Sequence, residues 1–290
     1  MLPEILPRLP KEFKRYHEPM IGGAALLFEL YNQRLRSSAS ISDMNADLIN
    51  MYQQVKDNPD DLIKLLLKHE RAHTKSSPWR DQEVAGATKQ VKDPEGYYYR
   101  VRELDPSDPL ERAARMIYLN RTGFNGLYRV NRQGKFNVPA GKYKNPAIVQ
   151  AERVQACSQA LQNVEITQQG FDKIKPKAGD FVYFDPPYDV WNQSSFIGYD
   201  SSAFGWEQQE HLAELAKRLA SQGVKTMLSN HATDRIIDLY QQAGLHTHCF
   251  LVGRPISSKA ATREPVYEVL ATSYPPSEYR ETVNNVARPL

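Results

Sequence analysis

Four consecutive apolar residues, Phe181-Val182-Tyr183-Phe184, end at Asp185-Pro186-Pro187-Tyr188. A short apolar run bounded in this way predicts a buried β-strand, and the prolines that follow have no N–H to donate. A carboxylate, a fixed carbonyl and an aromatic ring at a strand end suit the task of holding a flat base with an amino group. Asp185 and the Pro186 carbonyl can each accept one N–H of that amine, and Tyr188 offers a face for stacking. The alternative is a structural turn that ends the strand.

A strand, a glycine turn and a helix open the chain. The strand is predicted over residues 15–21, Gly22-Gly23 follows it, and apolar residues recur at helical spacing over 26–31. This pattern is typical of a doubly wound α/β sheet, in which small residues let a ligand approach the backbone. A second predicted strand, 38–44, ends at Asp43, an acid placed ~20 residues after the glycines to bind ribose hydroxyls. The alternative for Gly22-Gly23 is a tight turn without a ligand.

Strands and helices alternate again in the second half of the chain. The predicted elements are a helix at 147–161, strands at 164–167 and 181–185, a helix at 207–220, a strand at 224–229, a helix at 234–243, and strands at 246–252 and 266–271. Gly223 and Gly244 stand where the C-terminal caps of two of these helices belong.

The middle of the chain, residues 58–145, is charged and rich in loops. The stretch from Glu111 to Asn145 contains eight basic residues and one acid, a charge of +7, although the whole chain has a formal net charge of only +3. Such concentrated positive charge predicts contact with a polyanion; the alternative is a solvated basic loop. Within this stretch, residues 131–135 predict the tip of a β-hairpin between 127–130 and 136–138.

The composition is that of a globular protein. Hydrophobic residues make up 41% of the 290 residues, and no run approaches the ~18 apolar residues of a membrane span. The first ten residues contain three prolines and no apolar signal region, so we expect a cytoplasmic protein. Cys157 and Cys249 have no metal-ligand spacing. We expect both to be reduced core residues, with no metal bound, and we expect a loose tail after Ser273.

Taken together, these motifs resemble the Dam-type DNA adenine-N6 methyltransferases along nearly the whole chain. Residues 18–24 (EPMIGGA) resemble the family's S-adenosyl-L-methionine (AdoMet) motif, and 43–48 (DMNADL) resemble its D-I-N-x-D-L ribose segment. Residues 118–127 (YLNRTGFNGL) and 136–139 (FNVP) resemble its DNA-recognition signature. Residues 185–188 match its catalytic motif, and 229–231 (SNH) and 254–258 (RPISS) match later segments.

The resemblance implies an α/β, Rossmann-like AdoMet-dependent methyltransferase fold with a mixed, mostly parallel sheet. A mainly helical target-recognition domain that carries a β-hairpin is expected to be inserted at 58–145. The catalytic domain is then 1–57 with 146–275, and 276–290 is a tail. The expected catalytic residues are Asp185, Pro186, Pro187 and Tyr188. The expected cofactor-binding residues are Glu18, Pro19, Met20, Gly22, Gly23, Asp43, Met44, Gly170, Phe171 and Asp185.

The resemblance also implies double-stranded DNA as the partner, GATC as the site, and an adenine that is flipped out of the helix before it reacts. The expected DNA-binding residues are Arg121, Phe124, Asn125, Leu127, Arg129, Asn131, Asn137, Pro139, Lys142, Tyr143, Arg254, Ser257, Ser258 and Lys259. Phe124 and Asn125 are expected near the flipped base. Leu127 and Pro139 are expected to contact a thymine methyl group, and Arg129 to bind guanine in the major groove. Lys142 is expected to bind a phosphate.

The chain departs from the family at its start, where the family's Trp-x-Gly-Gly-Lys segment is not found before residues 2–7. Either the chain is truncated, or it binds AdoMet without that aromatic residue and lysine. The alternatives are a catalytically weakened DNA-binding homologue and a methyltransferase that acts on RNA or on cytosine N4. Asp185 argues against cytosine N4, because such enzymes often have Ser there, and an RNA enzyme would not need a duplex-reading hairpin. We expect a monomer or weak dimer associated with the nucleoid. An epigenetic role, a restriction-modification role and a phage origin all stay open.

Overall fold

The computed structural model describes residues 1–36, 38–76, 79–84, 87–93, 96–131, 133–189, 204–252 and 266–280. Its helices are α1 (Leu2–Ile5), α2 (Ala25–Asn32), α3 (Ala46–Asp57), α4 (Pro59–Lys75), α5 (Tyr97–Glu103), α6 (Pro109–Thr122), α7 (Ala151–Leu161), α8 (Trp206–Ser221) and α9 (Asp234–Gln242). Its strands are β1 (Tyr16–Pro19), β2 (Ala39–Asp43), β3 (Trp79–Val84), β4 (Ala87–Lys92), β5 (Val164–Gln168), β6 (Phe181–Phe184), β7 (Lys225–His231), β8 (His246–Val252) and β9 (Val266–Thr272).

The chain divides into two compact units. The first, termed the sheet unit, is Met1–Met44 with Asn163–Leu290, and the second, termed the helical unit, is Asn45–Gln162. The insert predicted at 58–145 lies within the helical unit, which also includes α3 and α7.

The sheet unit is built on a seven-stranded sheet with the order β5-β2-β1-β6-β7-β9-β8. The five strands from β5 to β7 in that order are parallel, and β9 is antiparallel to both β7 and β8. All four residues of β1 and all four of β6 are buried, as expected for central parallel strands covered on both faces. The predicted fold class, α/β with a mixed and mostly parallel sheet, is confirmed.

Helices α8 and α9 pack against this sheet through an apolar face. In α8 the buried residues Leu212, Leu215, Ala216 and Leu219 recur at steps of three and four, the spacing that places side chains on one side of a helix. They share one core cluster with Phe184 and other residues of β6, β7 and β9. Each helix is followed closely by a glycine with positive φ, at the predicted positions 223 and 244.

The helical unit has a separate aromatic core. Tyr98, Tyr99, Tyr118 and Leu119 are buried together between α5 and α6. The hairpin predicted around 131–135 is present, with one antiparallel bridge between Val130 and Phe136. A second hairpin, β3 with β4, is antiparallel and was not predicted, because its charged sequence lacks an alternating apolar pattern.

Two expectations were wrong. The chain after Ser273 is not loose as far as it is described, because Tyr274 is 3% exposed and its hydroxyl donates to the Arg8 carbonyl at 2.9 Å. The backbone N–H of Arg280 also donates to the Leu9 carbonyl at 2.7 Å, so this segment covers the N-terminal residues. The cysteines are free but lie outside the core, since Cys157 is half-buried and Cys249 is exposed.

Candidate active site

Five parallel strands of the sheet unit end at one edge, and the predicted catalytic and cofactor-binding residues lie there. The glycine turn follows β1, Asp43 ends β2, and Gly170-Phe171 come shortly after β5. The Asp185–Tyr188 segment follows β6, which pairs with both β1 and β7. In open α/β sheets, ligands bind at this carboxyl edge of the strands.

The turn after β1 has an unusual backbone. Met20, Gly22 and Ala24 all have positive φ, at 60°, 46° and 56°, a conformation that is unfavourable for residues other than glycine. Non-glycine residues in this region are found where the surrounding structure imposes them, often at ligand sites. A Cβ atom at Gly23 would meet no atom within 4 Å, so the backbone here is open to an approaching ligand.

Glu18 lies beneath this turn rather than at its surface. It is 3% exposed, and its Oε2 accepts hydrogen bonds from the Tyr16 hydroxyl at 2.8 Å and the Leu27 N–H at 3.1 Å. Leu27 is in the first turn of α2, where N–H groups have no partner inside the helix. Burial, with a contribution from the negative charge of Asp185, raises the pKa of Glu18 to about 8. Glu18 thus connects β1 to the start of α2.

Met44, Gly170 and Phe171 lie near Asp43 where β2 and β5 end, and the region between them is termed the slot. Met44 is 70% exposed, and its Sδ would lie 3.7 Å from a Cβ atom at position 170. Phe171 is packed behind the slot, with its ring 5.5 Å from that of Phe204. The slot is not purely apolar, because a Cβ atom at position 170 would lie 2.8 Å from Asp172 Oδ1.

The Asp185–Tyr188 segment presents its carboxylate outward. Asp185 is exposed, Pro186 is buried and Tyr188 is half-buried. Ser229 Oγ donates to Asp185 Oδ1 at 2.5 Å, so one carboxylate oxygen is held from the neighbouring strand β7. Burial raises the pKa of Tyr188, and the nearby charge of Asp185 adds to the effect, so its phenol stays neutral.

The predicted recognition residues of the helical unit form a turn and a hairpin. Phe124, Leu127 and Tyr143 are 44%, 48% and 44% exposed, which is high for large apolar side chains. Asn125 has a φ of 53°, and the turn is held by Asn120 Nδ2, which donates to the Gly126 carbonyl at 2.7 Å. The exposed Phe124 and Leu127 side chains are therefore carried by a defined turn rather than buried in the core.

The hairpin residues divide into those that build it and those that face outward. Asn131 Oδ1 accepts the N–H groups of Gln133 and Lys135 at 2.9 and 3.0 Å, so it shapes the tip. Arg129 Nε donates to Asn137 Oδ1 at 2.7 Å, and its Nη2 donates to the Asn137 carbonyl at 3.2 Å. These contacts fix the Arg129 guanidinium, which retains three of its five N–H groups for a ligand. Pro139 is exposed.

Basic side chains lie beside an open cavity of about 390 Å³ in the helical unit. It is lined by Asn120, Arg121, Asn125, Gly126, Tyr143, Asn145, Pro146 and Ala147. Arg121 donates to Gln150 Oε1 at 2.6 Å, and Lys142 Nζ lies 5.2 Å from the centre of the Trp79 ring. Gln150 and Trp79 were not predicted as site residues, because their partners are distant along the chain.

The sequence model of the D12 class of N6 adenine-specific DNA methyltransferases matches residues 1–249. The chain is 38% identical over 285 residues to the type II methyltransferase M1.LlaDCHI of Lactococcus lactis, covering 94% of this chain and 91% of that protein. It is 33% identical over 279 residues to the DNA adenine methylase of Escherichia coli, covering 95% and 91%. The type II methyltransferase M.MjaIII of Methanocaldococcus jannaschii is 36% identical over 289 residues, covering 94% and 95%. The chain belongs to the D12 class of N6 adenine-specific DNA methyltransferases.

Membership of the D12 class confirms the enzyme and the cofactor that were predicted: the protein is an adenine-specific DNA methyltransferase and uses AdoMet. The residues at the sheet edge fit that cofactor. The backbone at Gly23 is open, as the approach of a large polar ligand requires. The slot combines the apolar side chains of Met44 and Phe171 with the nearby carboxylates of Asp43 and Asp172, which suit the ring and the amino group of an adenine.

Other predictions for this D12 enzyme concern metals, membranes and the C-terminal basic loop. Within the described ranges, no three His, Cys, Asp or Glu side chains are grouped so as to hold a metal ion. None of the helices in those ranges is both long and apolar enough to span a membrane. The predicted DNA contacts Arg254, Ser257, Ser258 and Lys259 lie outside the described residues.

Proposed function

We propose that this enzyme methylates the adenine N6 of GATC in duplex DNA after the adenine has been flipped out of the helix. The observation that carries the proposal is the exposed Asp185 carboxylate, held by Ser229 on one oxygen, at the same sheet edge as the open glycine turn. The choice of GATC rests on the resemblance of the recognition signature to the Dam-type family.

The proposed site residues divide the work between cofactor and base. Residues of the turn from Glu18 to Gly23 and the carboxylate of Asp43 would hold the amino-acid and ribose parts of AdoMet. Met44, Gly170 and Phe171 would hold its adenine. AdoMet supplies an electrophilic methyl group on a sulfonium. The protein then needs to place N6 in line with that group, about 3 Å away, and this placement is itself a large part of catalysis.

The adenine amine is a poor nucleophile because its lone pair is delocalised into the ring. Asp185 would accept one N6–H, and the Pro186 carbonyl would accept the other. Ser229 donates to Oδ1, and we propose that the other carboxylate oxygen, Oδ2, accepts the N6–H. Transfer of the methyl carbon would break its bond to sulfur, leave a neutral thioether and place a positive charge on N6, which a carboxylate fixed beforehand would stabilise. The proton that N6 loses is then accepted at Asp185 and released to water.

Base flipping follows from the geometry of a duplex. The N6 atom of a paired adenine is hydrogen-bonded within the stack and cannot reach a carboxylate at a strand end. Tyr188 would stack on the extruded base, and its ring is already held edge-on by His231, with the centroids 5.0 Å apart. Phe124 and Asn125 are proposed to fill the space that the adenine leaves.

Sequence recognition is assigned to the helical unit, with 58–145 as the recognition domain. Arg129, fixed by Asn137, would read guanine, whereas Leu127 and Pro139 would contact a thymine methyl group. Asn131 and Asn137 support the hairpin, and Arg121, Lys142 and Tyr143 would contact the backbone. We also propose a monomer or weak dimer that works on the nucleoid, either alone or beside a restriction enzyme.

The test is methyl transfer to a duplex of about 20 base pairs that contains one GATC, with each of the four base pairs replaced in turn. We expect transfer to the parent duplex and a loss of at least ten-fold for each replacement. Replacing the target adenine with 2-aminopurine should give a rise in fluorescence on binding, which reports unstacking. Equal transfer to all duplexes would contradict the GATC assignment, and transfer without unstacking would contradict base flipping.

A further inference from the structure

Three consecutive residues at the end of β7, Ser229, Asn230 and His231, contact the Asp185–Asp189 segment at separate points. We propose that they are positioning residues that set the shape of this catalytic segment, an inference that rests on the proposed catalytic role of Asp185 and Tyr188. Each of the three contacts a different part of the segment, and none is adjacent to it in sequence.

Ser229 fixes the carboxylate. Its side chain is fully buried, and Oγ donates to Asp185 Oδ1 at 2.5 Å while it accepts the Tyr183 hydroxyl at 3.0 Å. A hydroxyl has one hydrogen to donate. Because Ser229 Oγ accepts the hydrogen of Tyr183, its own hydrogen can be donated to the Asp185 carboxylate. The plane of the Asp185 carboxylate is therefore set by β7 before any base arrives.

Asn230 fixes the backbone beyond Tyr188. Its Oδ1 accepts the N–H groups of Asp189 and His231 at 2.8 and 2.9 Å. Its Nδ2 donates to Gln209 Oε1 at 3.0 Å and to the Tyr240 hydroxyl at 3.1 Å. A side-chain amide has two donors and two acceptor lone pairs, so this fully buried side chain uses all of them.

Gln209 extends this arrangement to the other side of Tyr188. Its Nε2 donates to the Pro187 carbonyl at 2.9 Å, and its own Oε1 accepts from Asn230. The two amides thus hold the backbone at residues 187 and 189, one on each side of the proposed stacking ring. Because the backbone is held on both sides of Tyr188, the orientation of the Tyr188 ring is restricted.

His231 contacts both the backbone and the ring. Its Nδ1 lies 2.5 Å from the Asp189 carbonyl oxygen, and since a carbonyl only accepts, Nδ1 carries the proton. The imidazole then packs against Tyr188, with the ring planes at 78°. The far end of the segment is anchored separately, because the Asp189 carboxylate accepts hydrogen bonds from Thr233 at 2.9 Å and from Arg235.

This set of contacts is more than is needed to stabilise the core. Buried polar groups stabilise a fold little more than apolar side chains of the same shape, and they are costly when a partner is missing. Here the donors and acceptors from β7 are directed at the carboxylate, the backbone and the ring that the reaction is proposed to use. The role we infer is therefore geometric, and its loss should lower turnover rather than substrate binding.

The experiment compares Ser229→Ala, Ser229→Thr and Asn230→Ala in the full chain, with AdoMet and a GATC duplex each varied up to saturation so that kcat and KM are both obtained. Thr226→Ala is the matched control, because Thr226 is on the same strand, is fully buried, and its hydroxyl has no partner in the described part of the chain. We expect kcat to fall about ten- to a hundred-fold in Ser229→Ala and Asn230→Ala, since small misplacements in a site have effects of this size. KM for both substrates should stay within about two-fold, Ser229→Thr should recover most of kcat, and Thr226→Ala should match wild type.

Amide hydrogen exchange provides a readout that does not depend on turnover. The Asp189 N–H should exchange at least ten-fold faster in Asn230→Ala than in Thr226→Ala, because its acceptor is gone. An Asp189 N–H exchange rate that is unchanged in Asn230→Ala refutes the inference. Faster exchange with a wild-type kcat, or an effect on KM alone, refutes it as well. A wild-type enzyme that transfers no methyl group to any duplex defeats the proposed function, whereas the exchange comparison still decides whether β7 holds the segment.

Discussion

Two aspartates four residues apart should respond to substitution in opposite ways. Asp185 is exposed and is proposed to act on the substrate, whereas the side chain of Asp189 is 7% exposed and pairs with Arg235. Asp185→Ala should therefore remove activity and leave stability unchanged, and Asp189→Ala should mainly lower stability. The pair separates catalysis from folding within a single short segment.

The magnitudes follow from the contacts. Removing a fixed group that stabilises charge in the transition state typically lowers kcat ~10²–10³-fold, and we expect this for Asp185→Ala. The free energy of unfolding should change by no more than ~0.5 kcal/mol, because Ser229 Oγ has a second acceptor, the Phe184 carbonyl, at 3.3 Å.

For Asp189→Ala the loss is one of stability. Breaking a fully buried ion pair lowers the free energy of unfolding by ~3–5 kcal/mol. The Arg235 side chain is 40% exposed, so water can hydrate the charge left behind, and we expect ~2–3 kcal/mol. That corresponds to a fall in Tm of ~4 °C or more. A misplaced site typically loses ~10²-fold in rate. At 20 °C we expect a smaller fall in kcat for Asp189→Ala, because Asn230 and His231 still hold the Asp189 backbone.

The assay is single-turnover methyl transfer beside thermal unfolding for wild type and both variants. An Asp185→Ala enzyme that keeps wild-type turnover would refute the catalytic assignment. An Asp189→Ala enzyme that unfolds at the wild-type temperature would refute the claim that the Asp189–Arg235 ion pair stabilises this segment.

Four further substitutions address the helical unit and the slot. Arg129→Ala should reduce discrimination at one base pair by ~1–3 kcal/mol, and an equal loss of affinity for all duplexes would contradict its role. Lys142→Ala should instead weaken binding to all duplexes alike and reduce the slope of log K against log salt by ~0.9. Gly170→Val should fill the slot beside Met44 and weaken AdoMet binding about ten-fold, or ~1.4 kcal/mol, with DNA affinity unchanged by titration. Burial lowers the pKa of His69 to about 4, so protons bind it more tightly in the unfolded chain and stability should fall as pH drops from 6.5 towards 4. Urea unfolding at pH 7 and 5 should show a smaller pH effect in His69→Gln than in wild type, and an equal effect would refute the buried neutral histidine.

The parts of the fold that were predicted from sequence have local signals. The run of four apolar residues before Asp185 marks β6, whose residues are all buried. The glycines at 223 and 244 mark the ends of α8 and α9 through backbone conformations that favour glycine. Asp185 and Tyr188 could be proposed as site residues from sequence because they are adjacent to that strand in the chain.

The supporting contacts could not be predicted, because they join residues far apart in sequence. Ser229 and Asp185 are 44 residues apart, and Asn230 and Asp189 are 41 apart. No periodicity marks such pairs, and strand order alone brings β6 beside β7. The ordered segment after Ser273 was missed for a related reason, since its burial depends on contacts with residues 8–10 at the other end of the chain.

The most direct test of the central claim is analysis of the nucleosides released from a GATC duplex after incubation with AdoMet and enzyme. The account predicts N6-methyl-2′-deoxyadenosine as the product, formed by wild type and not by Asp185→Ala. Methyl groups on cytosine N4, or equal N6 methylation by both proteins, would contradict the assignment of Asp185 as the residue that holds the adenine amine. No product from wild type on any duplex, despite DNA binding, would favour the catalytically weakened homologue.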